Sequence, residues 1–213
     1  HRGFAPHIRS GCEYVMRIKF LREPHVRRAE MLRYARCGDG VGVEKEAEQA
    51  QRLVDDLIRP AAAAVVFDIK RDGEKLFVAD TELEGKSIKK LLAPCNKCVV
   101  MAITVGFELD MKIAALGSSS PALSLLADAA ASSAVEDACD ACCESIESEL
   151  GVKLTPRFSP GYGDLPMNIQ PALLTLTNAR RYLGLTVGTG CMLSPIKSVT
   201  AIAGIKEVEN DEF

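Results

Sequence analysis

With 213 residues and a net charge of −3, the chain is long enough to bury a substantial core and carries no basic excess, which argues against nucleic-acid or anionic-membrane binding. A hydrophobic content of 47% fits an ordinary globular protein, and no apolar run reaches the roughly 18 residues that a membrane span requires. Eight cysteines are many for this length, but the chain does not look like a small secreted scaffold held by disulfides, and residues 1–9 lack the apolar centre of a secretory signal, so a reducing cytoplasm is expected.

In chain order, residues 13–20 alternate as a strand does, while the rest of the first 25 residues show no clear pattern. Residues 31–37 read as a short helix ended by Gly38, Asp39 and Gly40. Over residues 43–58, Ala47, Ala50, Leu53, Val54, Leu57 and Ile58 recur at helical spacing with charges between them, and Pro60 stops the helix. Residues 63–69 and 75–79 are β-rich runs joined around Arg71, Asp72 and Gly73, a hairpin signal. Ser87 is expected to cap a short helix through Leu92. Residues 98–105 are apolar nearly throughout, as a central buried strand is, and a helix over about 107–116 follows.

The longest regular element is a helix over 121–150. Ser118 to Ser120 precede Pro121 in its first turn, and Gly151 closes it. Ala127, Ala130, Ala131, Ala134, Ala138 and Ala141 give it a small-residue face that lets another element approach closely. Asp128, Ser132 and Glu136 form a polar line along one side. Further on, residues 169–182 read as one helix capped around Asn168 and ended at Gly184. Residues 185–187, 191–193 and 199–205 read as strands, and the acidic tail from Glu207 as a frayed end. With no linker-like stretch, the reading is one α+β domain.

Between the long helix and the next lies Arg157-Phe-Ser-Pro-Gly-Tyr-Gly-Asp-Leu-Pro166. Pro160 restricts its own φ, Gly161 permits left-handed backbone, and Pro166 biases Leu165 away from the helical region. The result is a rigid irregular loop with a guanidinium at its entrance, suited to a small polar ligand carrying a carboxylate or phosphate. A stiff connection between elements is the other reading of the same spacing.

Other chemistry is poorly supported. The three histidines, His1, His7 and His25, all fall in the first 25 residues, which leaves a serine or cysteine nucleophile without an obvious base. Neither a Gly-x-Gly-x-x-Gly turn after a strand nor a phosphate-binding P-loop is present. Cys139, Cys142 and Cys143 share one side of the long helix and, with Cys95 and Cys98, have the composition of a zinc or iron–sulfur site. Cysteine is equally a small buried hydrophobe, and Cys98 opens an apolar strand rather than a knuckle.

Several stretches, in one order, resemble the reactivation domain of cobalamin-dependent methionine synthase, especially its stand-alone bacterial form. They are Met31-Leu-Arg-Tyr-Ala35, Val99-Val-Met-Ala-Ile-Thr-Val-Gly106, Asp128-Ala-Ala-Ala-Ser-Ser-Ala-Val-Glu136, Arg157-Phe-Ser-Pro-Gly-Tyr162, and Met192-Leu-Ser-Pro195 with Lys197-Ser-Val199. The resemblance covers roughly residues 28–206, so the domain is expected over 26–213 with residues 1–25 unassigned. It implies a single C-shaped α+β domain built on a twisted antiparallel sheet with helices around it. It also implies S-adenosylmethionine binding in a shallow groove, with Arg157 on the ligand carboxylate, backbone near Ser159 and Gly161 on polar edges of the nucleoside, and Tyr162 packed on the adenine or ribose or near the sulfonium. Glu136 would balance the ligand's cations. No catalytic acid or base and no protein-bound metal are implied.

The implied role is accessory: supporting reductive methylation of cob(II)alamin on a corrinoid protein or a methionine synthase that lacks this domain, with flavodoxin or another donor supplying the electron. Cobalamin would come on that partner, because the chain has no Asp-x-His-x-x-Gly motif. Two family contacts have no counterpart: an N-terminal acidic residue, and a late aromatic where this chain has Ile202-Ala-Gly204. A docking protein for a corrinoid methyltransferase that has lost the ligand therefore stays open as the alternative.

Overall fold

A computed structural model describes residues 15–206. The chain enters through β1 (Met16–Arg17), α1 (Arg28–Ala35) and α2 (Glu44–Leu57), then runs through β2 (Ala61–Asp72), β3 (Lys75–Val78), β4 (Thr81–Glu82), α3 (Lys86–Leu92) and β5 (Lys97–Thr104). Two helices follow, α4 (Phe107–Ser119) and α5 (Pro121–Leu150), then β6 (Lys153–Leu154), α6 (Gln170–Leu176) and α7 (Ala179–Leu183). The last elements are β7 (Thr186–Val187), β8 (Leu193–Ser194) and β9 (Ser198–Lys206).

The main sheet runs in the order β4-β3-β2-β5-β9-β6, with β1 added to β2, and each of its pairings is antiparallel. Its centre, β5, is buried along almost its whole length, which is why its sequence is a continuous apolar run rather than an alternation. The pleat still sorts its side chains. Val99, Met101 and Ile103, with Ala201, Ala203 and Ile205 of β9, join the core under α5. Cys98, Val100 and Ile202 point the other way, toward α3 and α6. Helices thus cover both faces of one antiparallel sheet, an α+β domain.

The 30-residue α5, about 45 Å long, is the spine. Ala127, Ala130, Ala131, Ala134, Ala138 and Ala141 are fully buried, because α5 packs against α1, α2 and α4 as well as β5 and β9. A helix contacted on most of its circumference has no single apolar stripe, and the small side chains are what allow so many neighbours.

Residues 15–25 are integral to this arrangement. Met16 and Ile18 are buried in the α5-side core, the Ile18 N–H donates to the Ala62 carbonyl, and the Leu21 N–H donates to Ser145 Oγ at 3.0 Å.

Several expected elements differ in detail. The strand over 13–20 is confined to Met16–Arg17, and residues 13 and 14, like the acidic tail from Glu207, lie outside the described residues. Ser87 does not cap α3; Gly85 holds the N-cap position and a carboxylate from elsewhere in the chain satisfies the free amides. The helix over 169–182 is two helices, because Asn178 adopts left-handed backbone at φ 49° and the Thr177 hydroxyl turns back to the Leu173 carbonyl at 2.8 Å. Asn168 lies in a 3₁₀ turn over Met167–Ile169 instead of capping it. Cys191 likewise ends a 3₁₀ turn, and the strand there begins at Leu193.

Gly204 of β9 sits under α3, where an added Cβ would lie 2.5 Å from Cys95 Sγ and 3.0 Å from a Leu92 methyl. Gly204→Ala is expected to destabilise the protein by about 1–3 kcal/mol through overpacking. A double-mutant cycle with Cys95→Ala, read by urea unfolding, should show favourable coupling as the clash is removed.

Candidate functional site

The loop that opens at Arg157 is tied down along its length. The Thr155 N–H donates to the Gly204 carbonyl at 2.8 Å, and Phe158 exchanges both backbone hydrogen bonds with Ile202 at 2.8 and 2.9 Å. Pro160 has no N–H to continue this ladder, so the chain turns away. The turn closes on itself: the Tyr162 N–H donates to the Ser159 carbonyl at 3.1 Å and the Gly161 N–H to the Leu165 carbonyl at 2.9 Å. Gly161, at φ 85°, supplies a conformation that other residues rarely adopt. Beyond it, the Asp164 carboxylate accepts the Lys86 and Ser87 N–H groups at 2.6 and 3.0 Å, capping α3 from the loop. Those amides hold the Asp164 carboxyl below the usual range.

Arg157 faces α5. Its two terminal nitrogens donate to Asp140 and Glu136, one helical turn apart, and 23% of the side chain remains exposed. Burial works against this charge, and the carboxylates more than offset it. Asp140 also accepts from Arg27, which pairs in turn with Asp137. Asp137 is 1% exposed and receives the Arg22 guanidinium at 2.7 Å, the His25 N–H at 2.9 Å and Arg27 Nε at 2.7 Å. Arg22 reaches on to Glu144 at 2.9 Å. Burial alone would raise the Asp137 and Asp140 carboxyls, but the arginine and amide donors outweigh it, and both are held below the ordinary value near 3.8.

A groove of about 500 Å³ lies beside this network, between the loop, the start of α6 and the outer edge of β9. Glu136 and Arg157 form its charged end. Ser159, Pro160 and Tyr162 come from the loop, Met167 and Gln170 from the approach to α6, and Met192 and Ile196 from around β8. Tyr162 is 69% exposed and, with Met192 and Ile196, presents apolar surface at the mouth. A volume in the range of small-molecule sites, apolar walls and a few convergent polar groups are the ordinary make-up of a ligand pocket.

Of the residues singled out from the sequence, Glu136, Arg157, Ser159 and Tyr162 line this one groove. Gly161 shapes the loop, and its N–H is spent on Leu165. Sequence reasoning missed Asp140, although it continues the Asp128, Ser132, Glu136 line by one more turn. It also missed Gln170, whose partner Thr200 is 30 residues away. The start of the polar line is occupied as well: Lys197 pairs with Asp128 at 2.8 Å and donates to Ser132 Oγ at 2.9 Å.

Cys191 lines the groove, whereas Cys95, Cys98, Cys139 and Cys142 are buried in the core. Burial pushes the Cys98 thiol up to about 12 and the Cys143 thiol up to about 11, and raises Cys139 and Cys142 as well. Among the described residues no group of three or more His, Cys, Asp or Glu is placed to hold a metal ion. No helix among them is long and apolar enough to cross a membrane.

No family model matches the chain, and no curated protein matches it. Among solved structures it is similar to the crystal structure of the MetH reactivation domain bound to AdoHcy, with a TM-score of 0.59 and 15% sequence identity over 79% of this chain. The match spans 65% of that structure's chain. The likeness is one of fold.

Because Asp137 and Asp140 have depressed folded values, their contribution to stability is present above about pH 4 and is lost as the pH falls through those values. Asp137→Asn should cost about 1.5–3 kcal/mol at neutral pH by leaving Arg22 and Arg27 without their shared carboxylate. The variant should also show a flatter loss of stability below about pH 4 than the parent, measured by urea unfolding across pH.

Proposed function

We propose that this chain binds S-adenosylmethionine in the groove beside Arg157 and serves as a free-standing reactivation module. The observation that carries the reading is the charged end of the groove. Arg157 and Glu136 offer a cation and an anion side by side, the complement of the zwitterionic amino-acid head of the ligand. The guanidinium has five N–H donors, and the pairs with Asp140 and Glu136 use two of them. Donors therefore remain for the ligand carboxylate, while Glu136 is within the same groove for its ammonium. Ser159 and the ring of Tyr162 line the path beyond, where the nucleoside and the sulfonium would lie. The fold likeness to a reactivation domain crystallised with AdoHcy supports the same reading.

In this proposal the methyl donor serves the reductive methylation of cob(II)alamin held on a separate corrinoid protein or methionine synthase, with one electron from flavodoxin or another donor. The chain's own contribution is alignment. Its residues grip the head group, hold the donor at an open mouth and present it to the partner. The module would act in the cytoplasm.

One observation favours a second reading, a docking protein that kept the fold and lost the ligand. Both terminal nitrogens of Arg157 already rest on carboxylates, so the guanidinium is neutralised without any ligand. Calorimetric titration separates the two. The first reading expects saturable binding of S-adenosylmethionine and S-adenosylhomocysteine that Arg157→Ala weakens at least about tenfold, or about 1.4 kcal/mol. Binding by the parent that Arg157→Ala leaves unchanged removes Arg157 from the site. Absence of binding by the parent selects the docking protein.

A further inference from the structure

Gln170 is 5% exposed, yet it lines the groove. It opens α6, and its side chain lies against β9, where the Thr200 hydroxyl donates to its Oε1 at 3.1 Å. Its amide nitrogen has no acceptor among the described residues. No fully enclosed side-chain nitrogen or oxygen among them lacks a partner, so this nitrogen is not sealed from solvent, and Gln170 itself lines the groove. Held at its carbonyl end, the carboxamide keeps its N–H groups free to donate to water or to a ligand in the groove. In this arrangement the carbonyl end of the carboxamide faces the Thr200 hydroxyl and the N–H groups face away from it. Oε1 keeps a second lone pair.

The groove therefore has two polar regions. Arg157 and Glu136 sit on the side of β9 that faces α5, and Gln170 with Thr200 sits on the side that faces α6. If the first takes an amino-acid head, the second meets the other end of the same ligand. A side-chain carboxamide with free N–H groups and one remaining lone pair matches the edge of adenine, where a ring nitrogen accepts beside an amino group that donates. Met167, one turn before Gln170, supplies apolar surface next to it.

We propose that Gln170, oriented by Thr200, is the specificity-determining residue for the base, reading an adenine ring nitrogen through its amide N–H. This rests on the proposal that the groove takes an S-adenosyl ligand.

The test is a cycle between protein and ligand, read by calorimetry. The parent, Gln170→Leu and Gln170→Glu are each titrated with S-adenosylhomocysteine and with its analogues in which one base nitrogen at a time is replaced by carbon. In the parent, one analogue should bind about tenfold more weakly than S-adenosylhomocysteine. In Gln170→Leu that penalty should vanish, because the donor is gone and the nitrogen no longer matters; a purely structural glutamine would not remove it. Gln170→Glu keeps the size but presents no N–H, and it should lose the same preference even if the leucine variant fails to fold. Parent protein that binds S-adenosylhomocysteine without distinguishing any analogue, or a penalty that persists in both variants, overturns the assignment of Gln170 alone. Parent protein that does not bind S-adenosylhomocysteine overturns the ligand reading and this inference with it.

Discussion

The structure depends on an alternating chain of charges laid along α5: Glu144, Arg22, Asp137, Arg27, Asp140, Arg157 and Glu136. It joins three segments that are far apart in sequence. The two arginines of the N-terminal approach and the one that opens the 157–166 loop meet on four carboxylates of a single helix. The members contribute unequally. Arg22 with Glu144 is largely exposed, and such a pair contributes little in water. Asp137 is closed off from solvent, and a carboxylate there stays ionised because three donors converge on it. Buried pairs rarely add much net stability over an apolar alternative, but removing one partner strands the others. The network is better understood as setting register: it fixes which turn of α5 faces the loop.

That register makes the groove. Asp140 and Glu136 hold Arg157 in place from the helix side, while the backbone exchange between Phe158 and Ile202 holds it from the sheet side. The Asp164 cap on α3 then pins the far end of the loop. A site whose donors are already positioned loses less conformational entropy on binding than one whose loop must order first. The same arrangement sets a limit. In the proposed site a ligand carboxylate would share the guanidinium with two resident carboxylates, so its gain would be the difference between a third charged contact and the solvent that it displaces.

Much of the fold is legible from local signals, and the failures have a common cause. Pro121 and Gly151 mark the ends of α5 because a proline without an N–H and a left-handed glycine act within one turn. The continuous apolar run of β5 announces a strand buried on both faces. Ser87 misleads because the α3 amides are satisfied from 77 and 78 residues away, by Asp164, and no sequence rule sees across that distance. Asn178 and Thr177 break a periodic apolar pattern through a left-handed backbone and a side-chain bond to the preceding turn, neither of which the residue types announce when read singly. At the site, the Arg157 loop stands out by composition, since proline, glycine and a guanidinium are concentrated in it. Gln170 and Asp140 do not, because each acquires meaning only from the residue that folding places against it.

The cysteines show the same principle from the opposite side. Their number and spacing suggest ligands or nucleophiles, yet the surroundings of those in the core make them fillers: Cys95 lies where Gly204 leaves room for sulfur, and Cys143 rests 3.9 Å from the Met101 sulfur. Thiols whose ionisation is pushed to about 11 or 12 by burial are protonated at neutral pH and poor nucleophiles. The polar side chains of the groove are instead collected where the sheet is left open. Pro160 ends the pairing along β9 after Phe158, and the strand's outer edge from Ser198 to Thr200 becomes the floor of the groove. One imino acid that cannot donate a hydrogen bond thus does two things: it stops the sheet from closing, and it turns the chain so that Tyr162 stands over the gap.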